Sequence, residues 1–451
     1  MVKQMTEGSP LRLILNFSLP LLAGNLCQQT YNMVDAAIVG RTLGADALGA
    51  VGASTSVQFL VLGFCIGFCT GFAVPVAQRF GARHYHHMRR FIYLGGVLSV
   101  LIAAVLTLVC SILTRPILNL LQTPEDLMAD AYGYLLIIFL GIPFTILYNF
   151  LSGVLRAVGD SRTPFLFLAF SSVLNIGLDL FCILVLRLGC AGAALATVAS
   201  QAISGILCLI LIWKKFEILR LRKEDRQWNG HDAGTLMVTG FPMGLQFSIT
   251  AIGSMAEQSA NNSLGTVYVT AFTAAMKIKQ LMICPFDALA SGVATFAGQN
   301  YGAGRVDRME EGVKKGTFAG MIYGAAAGIA LIFFGRIFSM LFVASNYTEV
   351  LNASAVYLRT IGFFYWLLGI LNVIRLTVQA INYSGRAIFS GVVEMVARCL
   401  VAFLLVPKIG YAAVCISDPA AWISAVAYIV PTYLHCRTLV RKQITSGQRM
   451  E

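Results

Sequence analysis

Twelve times along its 451 residues the chain runs for about twenty residues that are apolar almost throughout: 13–37, 50–74, 91–113, 132–153, 164–186, 191–213, 234–257, 266–295, 317–335, 360–380, 387–406 and 411–434. A run of that length crosses the hydrocarbon core of a bilayer as an α-helix, the one open-ended element that satisfies every backbone polar group within itself. Composition agrees, with 57% hydrophobic and 12% charged residues, about half the charged share of a soluble domain. The expectation is an all-α integral membrane protein with twelve transmembrane helices. The first run is too long for a secretory leader, and no small-residue cleavage pattern follows it.

The chain also repeats itself. Ala77-Gln-Arg-Phe-Gly-Ala82 returns as Ala297-Gly-Gln-Asn-Tyr-Gly-Ala303, with Gln78 matching Gln299 and Gly81 matching Gly302 at an offset of 221. Leu43-Gly44 matches Leu264-Gly265 and Gly189 matches Gly410 at the same offset, while Pro20 and Asp35 match Pro242 and Glu257 one residue out of step. Two six-helix halves are expected: an N-lobe over 1–213 with helices 1–6, a charged cytoplasmic linker over 214–232, and a C-lobe over 233–451 with helices 7–12. Six crossings return the chain to its starting side, so the repeats run parallel, two bundles related by a pseudo-twofold axis around a central cleft.

A net charge of +12 suggests a nucleic-acid surface until its distribution is considered. With the N-terminus inside, the inner segments carry Arg79, Arg83, Arg89, Arg90, the linker cations from Lys214 to Arg226, and Arg437, Arg441 and Lys442 near the end. The outer loops hold Arg41, Arg115, Arg187, Arg336, Arg359 and Lys408. That bias is the positive-inside signature of a multi-pass protein of the cytoplasmic membrane with both termini cytoplasmic, so no nucleic-acid partner is expected.

Against this background a carboxylate inside a span is a functional candidate, because it costs roughly 2.5–3.5 kcal/mol at the helix centre. Asp35 lies near the end of the first run, on one helical face with Gly24, Gln28 and Asn32. In the fifth span Ser171, Asn175 and Asp179 share a face, and in the sixth Thr197, Gln201 and Ser204 do. The repeat sets Glu257 opposite Asp35, Glu394 and Arg398 opposite Asn175 and Asp179, and Asp418 opposite Thr197. The first-half spans contain two acids, Asp35 and Asp179, and no base; the second-half spans contain Glu257, Asp287, Glu394 and Asp418 against Lys277, Lys279, Arg375 and Arg398. Buried charges are paired. The second half can therefore neutralise itself, whereas the first must recruit a proton, a metal cation or a cationic substrate. Asp35, Asn175, Asp179 and Thr197 offer carboxylate, amide and hydroxyl oxygens, which suit H+ or Na+.

Other signals are structural. The eleven cysteines lie mostly in apolar runs without a C-x-x-C pair, so they read as core residues and not as disulfides or metal ligands. His84, His86 and His87 cluster in a basic segment without nearby cysteine or carboxylate partners. No H-E-x-x-H or G-x-S-x-G motif is present, so no enzyme is expected.

Taken in order, Pro20, Asn32-Met-Val-Asp35 with Gly40 and Gly44, Gln78-Arg-Phe-Gly81, Asn175-Ile-Gly-Leu-Asp179 and Gln299-Asn-Tyr-Gly302 make the chain resemble the MATE (multidrug and toxic compound extrusion) family over nearly its whole length. The resemblance implies secondary active antiport, in which organic cations and other xenobiotics leave in exchange for H+ or Na+ by alternating access. It implies that Asp35, Asn175, Asp179 and Thr197 are the N-lobe proton- or Na+-binding cluster, and that Glu257 is an acidic residue of helix 7 used by some members. Gln28, Asn32, Glu257, Lys277, Arg375, Glu394 and Arg398 are candidates for a substrate cleft or a C-lobe ion network, and Pro20 and Gly24 for a hinge in helix 1. One departure stands out: members that place Na+ in the C-lobe carry a carboxylate on helix 10, where this chain has Arg375 and no Asp or Glu. No cofactor is expected beyond the coupling ion; the expected partners are amphipathic small molecules and membrane lipid, and the expected state is monomeric. The rival is a lipid-linked oligosaccharide flippase of the same superfamily, whose pyrophosphate headgroup the second-half lysines and arginines would suit.

Overall fold

The computed structural model describes residues 2–120 and 123–445, and every regular element among them is helical. Ten helices are each long and apolar enough to cross a membrane, and two bent pairs bring the spans to twelve. In chain order these are α1 (Pro10–Leu43), α2 (Ala45–Gly81), α3 (Tyr85–Leu120), the pair α4 (Glu125–Leu140) and α5 (Ile142–Ala157), α6 (Arg162–Leu180) and α7 (Gly189–Lys215). They continue as α8 (Gly230–Asn262), α9 (Thr266–Gly302), α10 (Val306–Ser339), the pair α11 (Thr348–Phe364) and α12 (Trp366–Ala380), α13 (Ser384–Leu400) with the short α14 (Val406–Ile409) in one span, and α15 (Tyr411–Thr445).

Two spans expected to be single are jointed. The run 132–153 lies within the α4–α5 pair, bent by 45°, and 360–380 within the α11–α12 pair, bent by 58°. At the first joint Gly141 ends α4 and Pro143 stands in the first turn of α5, where its missing N–H costs nothing but cannot continue the preceding helix. The second joint, at the fully buried Tyr365, lies over a stripe of small residues on α10. There Gly328 and Gly324 meet the backbone of Gly362 and Trp366 so closely that a Cβ on either glycine would fall within 2.6 Å of it.

The sequence repeat is written into the backbone. Positive φ recurs at an offset of 221 at Gly44 and Gly265 (94° and 102°), Gly189 and Gly410 (59° and 60°), and Arg83 and Gly304 (60° and 70°). A turn of π-helix follows α6 at Phe181–Val185 and α13 at Val401–Leu405.

By internal contacts the chain forms two compact units. The first comprises the residues up to Gln4 with Ala23–Ser248, and the second Met5–Leu22 with Ile249–Glu451. The sequence expectation put 1–213 and 233–451 in separate lobes; by contacts, the start of α1 groups with the later helices and the start of α8 with the earlier ones. In the first unit, Gly71 of α2 and Gly240 of α8 touch so closely that a Cβ on Gly71 would lie 2.5 Å from the Gly240 Cα. Leu236 joins Phe68, Phe72, Phe91 and Phe150 in that unit's core. In the second unit, Ile14 and Phe17 join Phe286, Phe296, Tyr357 and Trp422, while the Met5 N–H donates to Gln299 Oε1 at 2.8 Å and Asn300 Nδ2 to the Met5 carbonyl at 3.2 Å.

Residues 214–232 are not a loose tether. They hold two 3-10 turns, Glu217–Leu219 and Lys223–Asp225, and Asp225 is fully buried. Its Oδ2 accepts from Arg89 Nε at 2.7 Å and from the Arg222 N–H at 2.8 Å. Burial alone would raise this carboxyl; the Arg222 N–H and the Arg89 guanidinium outweigh it and hold Asp225 below the ordinary carboxylate range.

Candidate ion-coupling site and charge network

Helix α6 shows how a greasy span is made to present polar groups inward. Ser171, Asn175 and Asp179 recur every four residues and are buried, Asp179 completely, while Val173 on the opposite side is 73% exposed. Polar side chains turned from lipid need partners within the protein. Asn175 has them: with its amide oriented to satisfy both ends, the nitrogen donates to Asp179 Oδ2 at 3.1 Å and the oxygen accepts from the Thr197 N–H of α7 at 3.2 Å. Asp35 of α1 lies within hydrogen-bonding reach of Asp179. Tyr31, next to Gln28, and Tyr134 of α4 stand in the field of both carboxylates.

The structure thus brings Asp35, Asn175, Asp179 and Thr197 together in the first unit. Gln28 is half-buried and reaches the group through Tyr31, Asn32 is exposed, and Gln201 instead accepts from the Thr145 hydroxyl on α5. Gly24 is buried against Leu168 and Phe165 of α6, and Pro20 lies inside the unbroken α1. One carboxylate oxygen of each acid, Asp35 Oδ1 and Asp179 Oδ1, is buried without a hydrogen-bond partner. Neither acid forms an ion pair with a lysine, arginine or histidine among the described residues. Two adjacent carboxylates repel strongly away from bulk water, and the two unpartnered oxygens with the Asn175 and Thr197 oxygens fit a proton or a small hard cation. Among the described residues no three His, Cys, Asp or Glu side chains gather as a transition-metal site.

In the second unit the repeat-related positions also converge, with the opposite electrostatics. Arg398, at the place of Asp179, lies 2.9 Å from Glu394, 2.8 Å from Asp418 and 3.6 Å from Glu257. Arg375 of α12 holds the other Glu394 oxygen at 2.6 Å. Lys279 of α9 pairs with Asp418, whose Oδ2 also accepts from the Tyr357 hydroxyl, and Lys279 donates to that hydroxyl at 3.2 Å. Three carboxylates are therefore matched by three cations, all nearly inaccessible. Lys277, an expected member, is exposed and stands outside the network with its ammonium 5.7 Å from the Phe342 ring centre; the buried lysine is Lys279. Residues two apart on a helix point about 200° apart, so one lysine buried dictates the other exposed. Tyr357 gave no sequence signal, since a tyrosine in an apolar helix looks like core.

A polytopic helical protein whose spans gather ionisable groups inside each unit has the architecture of a membrane transporter. The chain belongs to the MatE family, whose model matches residues 20–181 and 242–404, one stretch in each half. It is 33% identical over 379 residues to the Bacillus subtilis (strain 168) protein described as "Probable multidrug resistance protein YpnP", covering 83% of each chain. It is 28% identical over 442 residues to "Probable multidrug resistance protein YoeA" of the same organism, covering 95% of this chain and 94% of that one. Among solved structures, an outward-facing multidrug resistance MATE family transporter of the MOP superfamily superimposes with a TM-score of 0.90 at 21% identity, covering 97% of this chain and 98% of that one.

Proposed function

We propose that the protein is a secondary antiporter of the cytoplasmic membrane that exports amphipathic organic cations in exchange for H+ or Na+, with Asp35, Asn175, Asp179 and Thr197 as the coupling site. The observation that carries this reading is the contrast between repeat-related positions. The second unit holds a covalent cation, Arg398, among Glu257, Glu394 and Asp418, whereas the first unit has Asp179 and Asp35 with unpartnered buried oxygens. What one half carries as a side chain, the other takes from solution.

An ion drives a conformational switch only through different affinity for the two states. Neutralising a carboxylate pair supplies that difference, because the unneutralised pair resists burial and the neutralised pair does not. Asp35 lies on α1 with Pro20, which removes a backbone hydrogen bond from that helix. Bending of α1 about Pro20 and Gly24 is the expected mechanical response.

The test is efflux of a fluorescent organic cation from loaded proteoliposomes, with a pH gradient and a Na+ gradient imposed separately, for the wild type and Asp35→Asn. Transport driven by one gradient in the wild type and lost in the variant supports the reading and names the ion. Gradient-driven efflux that survives Asp35→Asn unchanged, or its absence from the wild type under either gradient, overturns it.

A further inference from the structure

The charge count inside the second-half spans is four acids against four bases, but the network uses three of each. The acid left over is Asp287. We propose that Asp287 is a binding subsite for the cationic group of the transported molecule, on one face of α9; this rests on the antiport reading and adds its substrate side.

Thr273, Lys277, Gln280, Cys284, Asp287 and Ser291 follow one another at intervals of four, three, four, three and four residues, a single stripe along α9. Cys284 is buried, its thiol donating to the Gln280 carbonyl, and Ser291 is half-buried; the other four are exposed. The faces flanking the stripe carry the buried Phe272, Ala275, Ile278, Phe286, Leu289 and Val293. A stripe of exposed polar groups along a membrane span cannot face acyl chains, so it faces water.

Asp287 stands near the middle of α9, and among the described residues it makes no ion pair. The field of Arg375 reaches it, but that guanidinium is buried and already bound to Glu394 at 2.6 Å. The other three carboxylates of the unit's spans each have a cation of their own. Asp287 therefore leaves a carboxyl group without an ion-pair partner on the water-facing side of α9 at membrane depth, open to a cation.

The spacing selects a large cation over a small one. Ser291 is about 6 Å further along the axis and Gln280 about 10 Å back, too far apart to share one small ion with the carboxylate in the way the Asp35 cluster can. They suit a molecule whose charge meets Asp287 while its body lies along the stripe. At the far end, about 15 Å from Asp287, the Lys277 ammonium lies beside Phe342 at an open cavity of about 220 Å³ with Thr270 and Thr273. It repels a second positive group and so fixes which end of the molecule lies at Asp287.

The probe is tetraphenylphosphonium, a lipophilic cation that does not titrate, bound at equilibrium to the purified full chain without any ion gradient. Asp287→Asn should weaken binding about tenfold or more, Asp287→Glu should retain it, and Asp287→Lys should exchange the preference for tetraphenylborate. A measurement on the wild type needs no variant to fold: carbodiimide modification of Asp287, followed by mass spectrometry, should be slowed by tetraphenylphosphonium. Unchanged affinity in Asp287→Asn, or modification that the cation does not slow, overturns the subsite. Neither readout depends on Asp35 or on a gradient, so failure of the antiport reading is seen separately, in the efflux experiment.

Discussion

Removing Arg398 should be among the most damaging single changes in this chain, whereas removing the charge of Asp35 should leave stability intact. Arg398 is 4% exposed and touches three carboxylates. Of these, Glu394 keeps Arg375 and Asp418 keeps Lys279, but Glu257 has no other ion pair among the described residues. Arg398→Gln therefore strands Glu257, itself 2% exposed. Stranding one partner of a buried pair costs about 3–5 kcal/mol, a large part of the roughly 5–15 kcal/mol by which a protein is stable. The double variant Arg398→Gln/Glu257→Gln should recover a good part of that, with a coupling energy of about 1 kcal/mol or more. Asp35→Asn removes one of two acids that no internal cation balances, so its midpoint should equal or exceed that of the wild type. Thermal unfolding in detergent, followed by tryptophan fluorescence, measures all four proteins. An Arg398→Gln midpoint within a degree or two of wild type, or an Asp35→Asn loss as large as that of Arg398→Gln, refutes the distinction between a built-in and a recruited cation.

Asp225→Asn should also destabilise the chain by about 3 kcal/mol, since it leaves the buried Arg89 without its carboxylate. Because the native Asp225 carboxyl titrates below its ordinary value, its contribution is complete above about pH 4 and disappears as the pH falls below that; a midpoint that does not drop on acidification more in wild type than in Asp225→Asn contradicts this. Gly71→Ala should cost about 1–3 kcal/mol through its clash with Gly240, while Gly96→Ala, whose Cβ would meet Phe150 at an ordinary 3.9 Å, should unfold within a degree or two of wild type. Of the eleven cysteines, all free, the half-buried Cys27 and Cys399 should react with a maleimide in the folded protein well before the buried Cys65 and Cys69; equal rates would show that the packing of α2 is looser than described.

Much of this is legible in the sequence. The apolar runs marked the spans because a bilayer permits few alternatives, and the offset of 221 marked the halves because the same turns must be made twice. The bent pairs were less visible: Pro143 announces the first joint, but nothing at Tyr365 announces the second, which depends on the glycines of a different helix. The equivalence of Arg83 and Gly304 was hidden, since arginine is not a residue that advertises positive φ. Asp35 and Asp179 were legible because a carboxylate is costly in a span, Asn175 because it shares a helical face with Asp179, and Thr197 because the repeat sets it opposite Asp418. The balance of four acids and four bases misled at one point. It treated all eight as mutually paired, and only geometry separates six that pair from Asp287 and Lys277, which stay exposed. Division of α1 and α8 between units leaves no mark in periodicity, because each helix runs unbroken through the change of neighbours.

That division sets the order in which the protein can be completed. Residues 5–22 leave the ribosome long before the residues they pack against, for Met5 is held by Gln299 and Asn300, made almost three hundred residues later. The first unit, in turn, is not finished until 230–248 have been made to pack against α2. Neither half of the sequence closes its core alone, but the first unit has all its segments once residue 248 is made, so the earlier unit can still fold first, only later than the boundary of the repeat implies. A fragment ending at residue 213 lacks the helix that Gly71 was shaped to receive, and a fragment beginning at 233 lacks Ile14 and Phe17. The duplicated halves are therefore not independent folding units: the first borrows the start of α8 to close its core, and the second must hold the start of α1 in waiting until α9 and the helices after it arrive.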